Sequence, residues 1–232
     1  MKKKNIRWNT MQIIVLGFIG VIFAGGILLW LPVSNQEPIT FLDALFTSTT
    51  AVCVTGLVTV VPATQFSLFG KVILLLLIQI GGLGIIACVS AFLIIAKRKI
   101  TVKERILIQE TYNMDTLGGM VAMVIRILKG TFLIEGIGAV MLAFQFVPEY
   151  GVLKGIWYSI FHSVSAFCNA GVDILGDSSY LKYIDNPIIN ITTILLIILS
   201  GIGFTVWHDV LINIENVRGN RRLGKRLYTR MS

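Results

Sequence analysis

The amino-acid sequence predicts an all-α polytopic membrane protein made of two similar halves. Three observations support this: apolar runs long enough to cross a membrane, a one-sided distribution of basic residues, and an internal sequence match. Of the 232 residues, 55% are hydrophobic and 14% are charged. Soluble domains usually carry about a quarter charged residues. The composition therefore favours a chain embedded in lipid.

Four apolar runs predict four membrane-spanning helices. Met11–Pro32 and Val72–Ala96 contain no charged residue, and each exceeds the ~20 residues that a helix needs to cross the hydrocarbon layer. Two further runs are Gly130–Pro148, which is interrupted only by Glu135, and Ile188–Trp207. The first run follows a basic N-terminus but is too long for the apolar part of a signal peptide, so we expect a retained helix. The predicted spans are residues 11–32, 72–96, 123–147 and 188–208.

The basic residues predict the orientation of these spans. The net charge is +8, and the basic residues concentrate in the N-terminus, the middle segment and the C-terminal tail. The segments between spans one and two and between spans three and four hold only three basic residues, Lys71, Lys154 and Lys182, alongside six of the twelve acidic residues. This positive-inside pattern predicts cytoplasmic termini and a cytoplasmic middle loop. The charge therefore indicates topology and contact with the lipid bilayer, and not nucleic-acid binding.

An internal match divides the chain into two units. Residues 41–57 align without gaps on residues 156–172, at an offset of 115 positions. Five aligned pairs are identical: Phe46/Phe161, Ser48/Ser163, Ala51/Ala166, Cys53/Cys168 and Gly56/Gly171. A second match places Gly82–Gly84 on Gly201–Gly203. We therefore predict two units, residues 1–115 and residues 116–232, of which the second includes a basic cytoplasmic tail.

Each unit also contains a segment too short to cross the membrane. Short helices are predicted at about 43–52 and 153–166; ten helical residues reach only ~15 Å, half the membrane. Extended return strands are predicted at 52–57 and 167–172. Irregular backbone at membrane depth requires a water-filled cavity or protein around it. The fold class predicted is thus two helix–pore-loop–helix repeats around a partial pore. The alternative is a pair of ordinary outer loops, which would not need such apolar sequences.

The return strands are the candidate ion-binding residues. Backbone carbonyls can replace the hydration shell of an ion without fixed charge, and glycine allows the backbone angles that aim successive carbonyls at one axis. Gly56 and Gly171 are placed for this role, although a glycine after a helix is also a common C-cap. The predicted filter residues are Val54, Thr55, Gly56, Leu57, Asn169, Ala170, Gly171 and Val172.

Four motifs carry a family resemblance. Residues 50–57 (TAVCVTGL), 165–173 (SAFCNAGVD), 81–84 (GGLG) and 201–204 (GIGF) resemble the Trk/Ktr/HKT superfamily of potassium transporters, most of all the bacterial Ktr-type membrane subunit. The resemblance implies potassium uptake across the cell membrane, often with Na⁺ as activator, through filter strands containing Gly56 and Gly171. It also implies a homodimeric membrane part and a cytoplasmic nucleotide-binding regulatory subunit.

The sequence departs from the family in one respect. The family builds its pore from four such units in one chain, and this sequence holds the first two. The filter would have to be completed by a second copy or by a further two-repeat segment. The alternative function is a truncated or split half-transporter that conducts nothing alone. A distant third hypothesis, an intramembrane enzyme using Glu135 or His162, has little support, and we predict no enzyme activity.

Other residues are weaker candidates. Glu135 lies inside a span, where a carboxylate is a functional suspect that can also pair within the bundle or be protonated. Asp173 could attract cations to the outer mouth of the pore, or it could be a solvated loop residue. Residues 82–87 match a dinucleotide-binding pattern without its strand–turn–helix context, so these glycines are predicted to allow close helix packing instead. The pair His208 and Asp209 is predicted to be structural.

No resident cofactor or metal is predicted, K⁺ at the filter being the transported ion. The three cysteines, Cys53, Cys88 and Cys168, lie in apolar contexts without metal-ligand spacing, and we predict free, buried thiols.

Overall fold

The computed structural model describes residues 10–84, 87–88, 90, 120–176, 178–203 and 206. These residues form helices joined by turns and irregular segments, and one isolated bridge pairs Asn35 with Phe66. The all-α prediction is therefore confirmed for the part of the chain that the structure describes.

Seven α-helices are described, numbered here in chain order. They are α1 (Thr10–Trp30), α2 (Phe41–Cys53), α3 (Pro62–Gln65), α4 (Leu68–Leu83), α5 (Met120–Tyr150), α6 (Val152–Phe167) and α7 (Pro187–Gly201). Short 3₁₀ turns lie at Pro32–Ser34 and Ser179–Tyr183. Among the described residues, Gln12–Trp30 and Val124–Tyr150 are long and apolar enough to cross a membrane.

The helices α4 and α7 are shorter, with 16 and 15 residues. Each ends beside a glycine in the left-handed region, Gly84 with φ +83° and Gly203 with φ +90°. These are corresponding glycines of the two matched motifs. The rest of the predicted spans to residues 96 and 208 lies largely outside the described residues, as do the middle loop, the basic tail and the pair at 208–209.

The short helices α2 and α6 extend further than predicted. Thr40 caps α2, because its Oγ1 accepts from the N–H of Asp43 at 3.2 Å. The helix then continues through Cys53, and α6 continues through Phe167. Val52, Cys53 and Phe167 are therefore helical, and the prediction that the extended segments begin at 52 and 167 was wrong. The helices end only where the backbone turns left-handed, as described below.

The two largest of the three buried clusters in the described ranges hold the helices together. The larger lies between α1, α2, α4 and α6 and contains the fully buried Leu29, Leu74, Ile78 and Phe161. The smaller joins the ends of α5 and α7 through side chains that include Phe146. Outside these clusters, large apolar side chains are exposed along α1 and α5, as expected for helices that contact lipid.

A polar clamp closes the loop between α6 and α7 onto the end of α5. Lys182 donates to Glu149 Oε1, and the Tyr183 hydroxyl donates to Glu149 Oε2 at 3.0 Å. The Tyr150 and Tyr183 hydroxyls lie 2.8 Å apart. The hydrogen bond to Glu149 raises the pKa of the exposed Lys182 ammonium above its usual value. The clamp thus fixes the loop that follows the second candidate filter segment.

Candidate ion-filter site

The first candidate segment begins where α2 ends. Val54 is left-handed, with φ 52° and ψ 45°, an uncommon conformation for a β-branched residue. The N–H groups of Val54 and Thr55 both donate to the carbonyl of Thr50, the latter at 3.0 Å. The hydroxyls of Thr50 and Thr55 lie 2.6 Å apart. This hydroxyl contact and the shared carbonyl fix the direction in which the chain leaves the helix.

The second candidate segment follows α6 in the same way. Asn169, which corresponds to Val54 in the internal alignment, is also left-handed, with φ 58°. The Ala170 N–H donates to the carbonyl of Ser165 at 2.8 Å, as Thr55 does to Thr50. The Ser165 hydroxyl also donates to the Val172 carbonyl at 2.5 Å. The two segments therefore share the same helix-ending geometry.

The two candidate filter glycines lie side by side. Gly56 and Gly171 both have positive φ, +76° and +64°. A Cβ built on Gly56 would lie 2.9 Å from the Ala170 carbonyl oxygen and 3.5 Å from the Gly171 Cα. Thr55, Leu57 and Gly171 are exposed, whereas Ala170 and Val172 are buried. The structure thus brings the centres of both predicted segments together, and part of each segment is accessible to solvent.

A serine anchors each short helix to the preceding long helix. The Ser48 hydroxyl donates to the Ile22 carbonyl on α1 at 2.8 Å, and the Ser163 hydroxyl donates to the Glu135 carbonyl on α5 at 2.6 Å. The two serines are identical positions of the internal alignment. Hydrogen bonds of this kind hold helices together in an apolar environment.

A glycine and a leucine complete the same contact in both halves. A Cβ built on Gly138 would meet the Ser163 hydroxyl at 2.6 Å and the Leu196 side chain at 2.8 Å. Likewise, a Cβ built on Gly25 would overlap the Ser48 hydroxyl and the Leu77 side chain. Because the glycines have no Cβ, the long helices, the short helix and the following helix approach closely in each half.

The glycines of α4 contact the ends of both short helices. A Cβ built on Gly81 would overlap the carbonyl group of Val52 at the end of α2. A Cβ built on the next residue, Gly82, would overlap the Cys168 side chain at the end of α6. The predicted role of this motif in close helix packing is confirmed at Gly82 but was wrong at Gly84, because nothing among the described residues lies within 4 Å of a Cβ built there.

The remaining predicted residues, Glu135 and Asp173, make hydrogen bonds within the protein. Glu135 is buried on α5, and its Oε1 accepts from Gln79 Nε2 on α4 at 3.0 Å, so it pairs within the bundle. Asp173 is half-buried, and its Oδ1 accepts from the Leu175 N–H at 3.0 Å. The Asp173 carboxylate therefore shapes the turn after the second segment.

A cavity of about 230 Å³ lies beside the second segment, lined in part by His162, Asn169 and Asp173. The His162 ring is buried; Nδ1 lies 2.6 Å from the Tyr158 carbonyl and Nε2 accepts from the Ile174 N–H at 3.4 Å. The ring therefore carries its proton on Nδ1 and uses both nitrogens in backbone contacts. This arrangement is structural, and gives no support to the enzyme hypothesis.

The cysteines differ in exposure although all three are free. Cys168 is buried and Cys88 is half-buried, but Cys53 is exposed, so the prediction of a buried thiol was wrong at Cys53. Among the described ranges, no group of three metal-ligating side chains is found.

Sequence reasoning missed the polar side chains behind the segments, namely Ser48, Thr50, Ser163 and Ser165. The signal was present, because Ser48 and Ser163 are identical pairs of the internal alignment and Thr50 aligns with Ser165. Their partners are backbone carbonyls and a neighbouring hydroxyl, which a sequence pattern does not indicate.

Comparison with known proteins identifies the family. A family model described as TrkH, cation transport protein, matches residues 3–225. The chain belongs to the TrkH family. As a member of a transporter family, it is not expected to be an enzyme, which agrees with the prediction from sequence.

Several relatives of this TrkH-family chain are named as potassium or potassium/sodium uptake proteins. It is 45% identical over 214 residues to the potassium/sodium uptake protein NtpJ of Enterococcus hirae, covering 91% of this chain and 47% of the relative. It is 40% identical over 210 residues to the Ktr system potassium uptake protein B of Bacillus subtilis, covering 90% and 47%. The protein of the same name in Vibrio alginolyticus is 35% identical, with coverage of 90% and 46%. The TrkH-family chain thus spans about half the length of these curated relatives. The resemblance to the Trk/Ktr/HKT superfamily is therefore confirmed, and it supports a membrane location.

Proposed function

We propose that this chain supplies two filter segments of a potassium-uptake pathway, in which backbone carbonyls of residues 54–57 and 169–172 bind the ion. The observation that carries the proposal is the pairing of Gly56 with Gly171. Each glycine follows a short helix and has positive φ, and a Cβ built on either one would lie within 3.6 Å of the other's Cα. Such segments can present carbonyl oxygens to one axis.

The short helices favour a cation at this position. Both end immediately before the segments, and the C-terminal end of a helix carries a partial negative charge. The Thr50 hydroxyl contacts the Thr55 hydroxyl, and the Ser165 hydroxyl donates to the Val172 carbonyl, so both returning segments are ordered before an ion arrives. A pre-ordered cation site follows from these contacts.

The choice of ion rests on the relatives. The names of two of them specify potassium uptake, and a third name specifies potassium and sodium. We therefore assign K⁺ as the transported ion, and we propose Na⁺ as an activator from the family resemblance alone. The chain would lie in the cell membrane of a bacterium as two repeats with cytoplasmic termini. The positive-inside charge pattern supports this topology. A cytoplasmic nucleotide-binding regulatory subunit is proposed by the family resemblance, and the word "system" in a relative's name fits further subunits.

Rubidium uptake tests this assignment. The chain is expressed in cells that lack potassium uptake, and rubidium entry is compared for the wild type, Gly56→Ser and Gly171→Ser. The matched control is Gly136→Ser, because Gly136 is exposed and has nothing within 4 Å of a built Cβ. We expect both filter variants to lose uptake while the control retains it. Uptake that is indifferent to both filter substitutions would refute the site.

A second candidate function is a half-transporter that conducts nothing alone. The observation in its favour is that Leu57 and Gly171 are exposed at a site with two described segments, so the coordination shell is open on one side. Rubidium uptake that appears only when a second polypeptide is supplied would favour this function.

A further inference from the structure

Two of the three outer lysines lie near each other without an acidic partner. The positive-inside pattern leaves Lys71, Lys154 and Lys182 in the segments predicted to face outward. Lys182 is paired with Glu149, and this is the one ion pair among the described residues. Lys71 and Lys154 are close enough for their ammonium charges to repel each other. Two cations without a carboxylate therefore share one place on the outer side.

The two lysines lie at the outer ends of two helices that contact each other, α4 and α6. Lys71 is in the first turn of α4, and Lys154 is in the first turn of α6. The half-buried Lys71 donates from Nζ to the Ala63 carbonyl at 2.6 Å, which fixes its ammonium group at this end of α4. Lys154 is exposed, and no described residue forms a hydrogen bond or ion pair with it. One ammonium group is thus held in place, and the other can reorient towards a ligand.

This placement of the lysines is unfavourable unless an anion compensates it. Like charges at short range disfavour each other, and the partial burial of Lys71 reduces the screening by water and salt. The N-terminal end of a helix carries a partial positive charge, so a cation in the first turn is unfavourable as well. An anion bound by both ammonium groups would offset these costs.

Exposed apolar side chains follow each lysine along its helix. They are Phe69, Val72 and Leu76 on α4, and Leu153, Ile156 and Ile160 on α6. The spacing of three and four residues places each set on one face of its helix. Acyl chains gain free energy by covering such apolar surface, whereas inorganic phosphate does not. The surroundings of the two lysines therefore favour a lipid over a free anion.

We propose that Lys71 and Lys154 bind the phosphate headgroup of one anionic phospholipid in the outer leaflet. Lysine binds phosphate oxygens as a point charge. An ethanolamine or choline headgroup would bring a third cation to the same place, so the lipid class expected is phosphatidylglycerol. The site lies between the two halves of this chain, and lipid binding requires neither ion conduction nor a second polypeptide. The inference rests on the proposed membrane topology and goes beyond the proposed function.

Native mass spectrometry of the chain released from detergent micelles measures this binding. The chain is titrated with phosphatidylglycerol, with phosphatidylethanolamine of the same acyl chains, and with inorganic phosphate. The variants are Lys154→Met, which removes the exposed ammonium group, and Lys154→Arg, which keeps the positive charge. Lys182→Met is the matched control, because it makes the same change in net charge at the outer lysine that is paired with Glu149.

We expect phosphatidylglycerol to bind the wild type, Lys154→Arg and Lys182→Met with similar affinity. Lys154→Met should bind it about fivefold more weakly, which is the contribution of one lysine near an anionic lipid surface. Equal affinity for phosphatidylethanolamine would overturn the charge recognition, and equally tight binding of inorganic phosphate would overturn the choice of a lipid. Equal weakening by Lys182→Met would mean that only the net charge attracts the lipid, and would overturn the site.

Thermal unfolding with and without phosphatidylglycerol gives a second measurement. Lys154→Glu places a carboxylate near Lys71, where it substitutes for the lipid phosphate. We expect the lipid to raise the melting temperature of the wild type but not of this variant, and the same increase in both would refute the contact. Neither measurement involves ion flux. A chain that binds the lipid but shows no rubidium uptake would therefore keep this site and reject only the transport function.

Discussion

Replacing each paired glycine by alanine should destabilise the chain unequally. Gly56 and Gly171 have similar positive φ values, so both alanines incur the same kind of backbone penalty. The space around the two positions differs. A Cβ on Gly56 would lie 2.9 Å from a backbone oxygen, whereas the nearest atom to a Cβ on Gly171 is 3.6 Å away. Only the first alanine therefore displaces backbone.

The magnitudes follow from these two contributions. A left-handed backbone costs an L-residue about 1–2 kcal/mol. The Gly56→Ala variant adds an overpacking cost of about 1–3 kcal/mol. In a chain of this size, 1 kcal/mol lowers the melting temperature by about 2–4 °C. We expect a decrease of about 2–8 °C for Gly171→Ala and about 4–20 °C for Gly56→Ala.

Thermal unfolding of the purified chain in one detergent, followed by tryptophan fluorescence, measures the difference. Alanine at Gly20, which has nothing within 4 Å of a built Cβ, is the control. Equal shifts for the two filter variants, or a larger shift for Gly171→Ala, would show that the close approach of Gly56 to Ala170 is wrong.

Three further predictions use the same assay. Gly81→Ala should lower the free energy of unfolding by at least about 2 kcal/mol, because its Cβ would meet the backbone of α2. Gly136→Ala should be neutral or slightly stabilising, since alanine favours a helix. A larger loss for Gly136→Ala than for Gly81→Ala would contradict the packing of α4. Ser163→Ala should lower the free energy of unfolding by about 1 kcal/mol through loss of its hydrogen bond to α5, and Ser163→Thr should retain part of that stability. Identical melting temperatures of the wild type and the alanine variant would refute the anchoring role. Lys182→Met should change the free energy of unfolding by less than about 1 kcal/mol, since exposed ion pairs contribute little. A larger loss of stability that persists in high salt would mean that the clamp acts through packing instead.

Local sequence predicted the helices but not their ends. The uncharged runs and the internal match located the long and short helices because run length and repetition are properties of the chain itself. The end of α2 depends on Val54 adopting a left-handed backbone conformation, which is unfavourable for a β-branched residue. Two contacts stabilise it: the hydroxyl contact between Thr50 and Thr55, and the Thr50 carbonyl, which accepts from the N–H groups of Val54 and Thr55. These contacts override the local preference of Val54.

The candidate site was predictable in position but not in its supporting contacts. The paired glycines followed from the repeat. The partner of Glu135 did not, since Gln79 lies 56 residues away on another helix. The different exposure of Cys53 and Cys168 was equally hidden, because the two cysteines have similar local sequences and differ only in what packs against them.

The adjacent glycines of α4 make this helix a spacer between the two segments. Gly81 rests on the end of α2 and Gly82 on the end of α6, so two consecutive residues set the separation of both helix ends. A rotation of α4 would move these supports in different directions, since neighbouring residues on a helix point about 100° apart. We therefore expect a rotation of α4 to change the distance between Gly56 and Gly171; the helix ends one residue after Gly82, at Leu83.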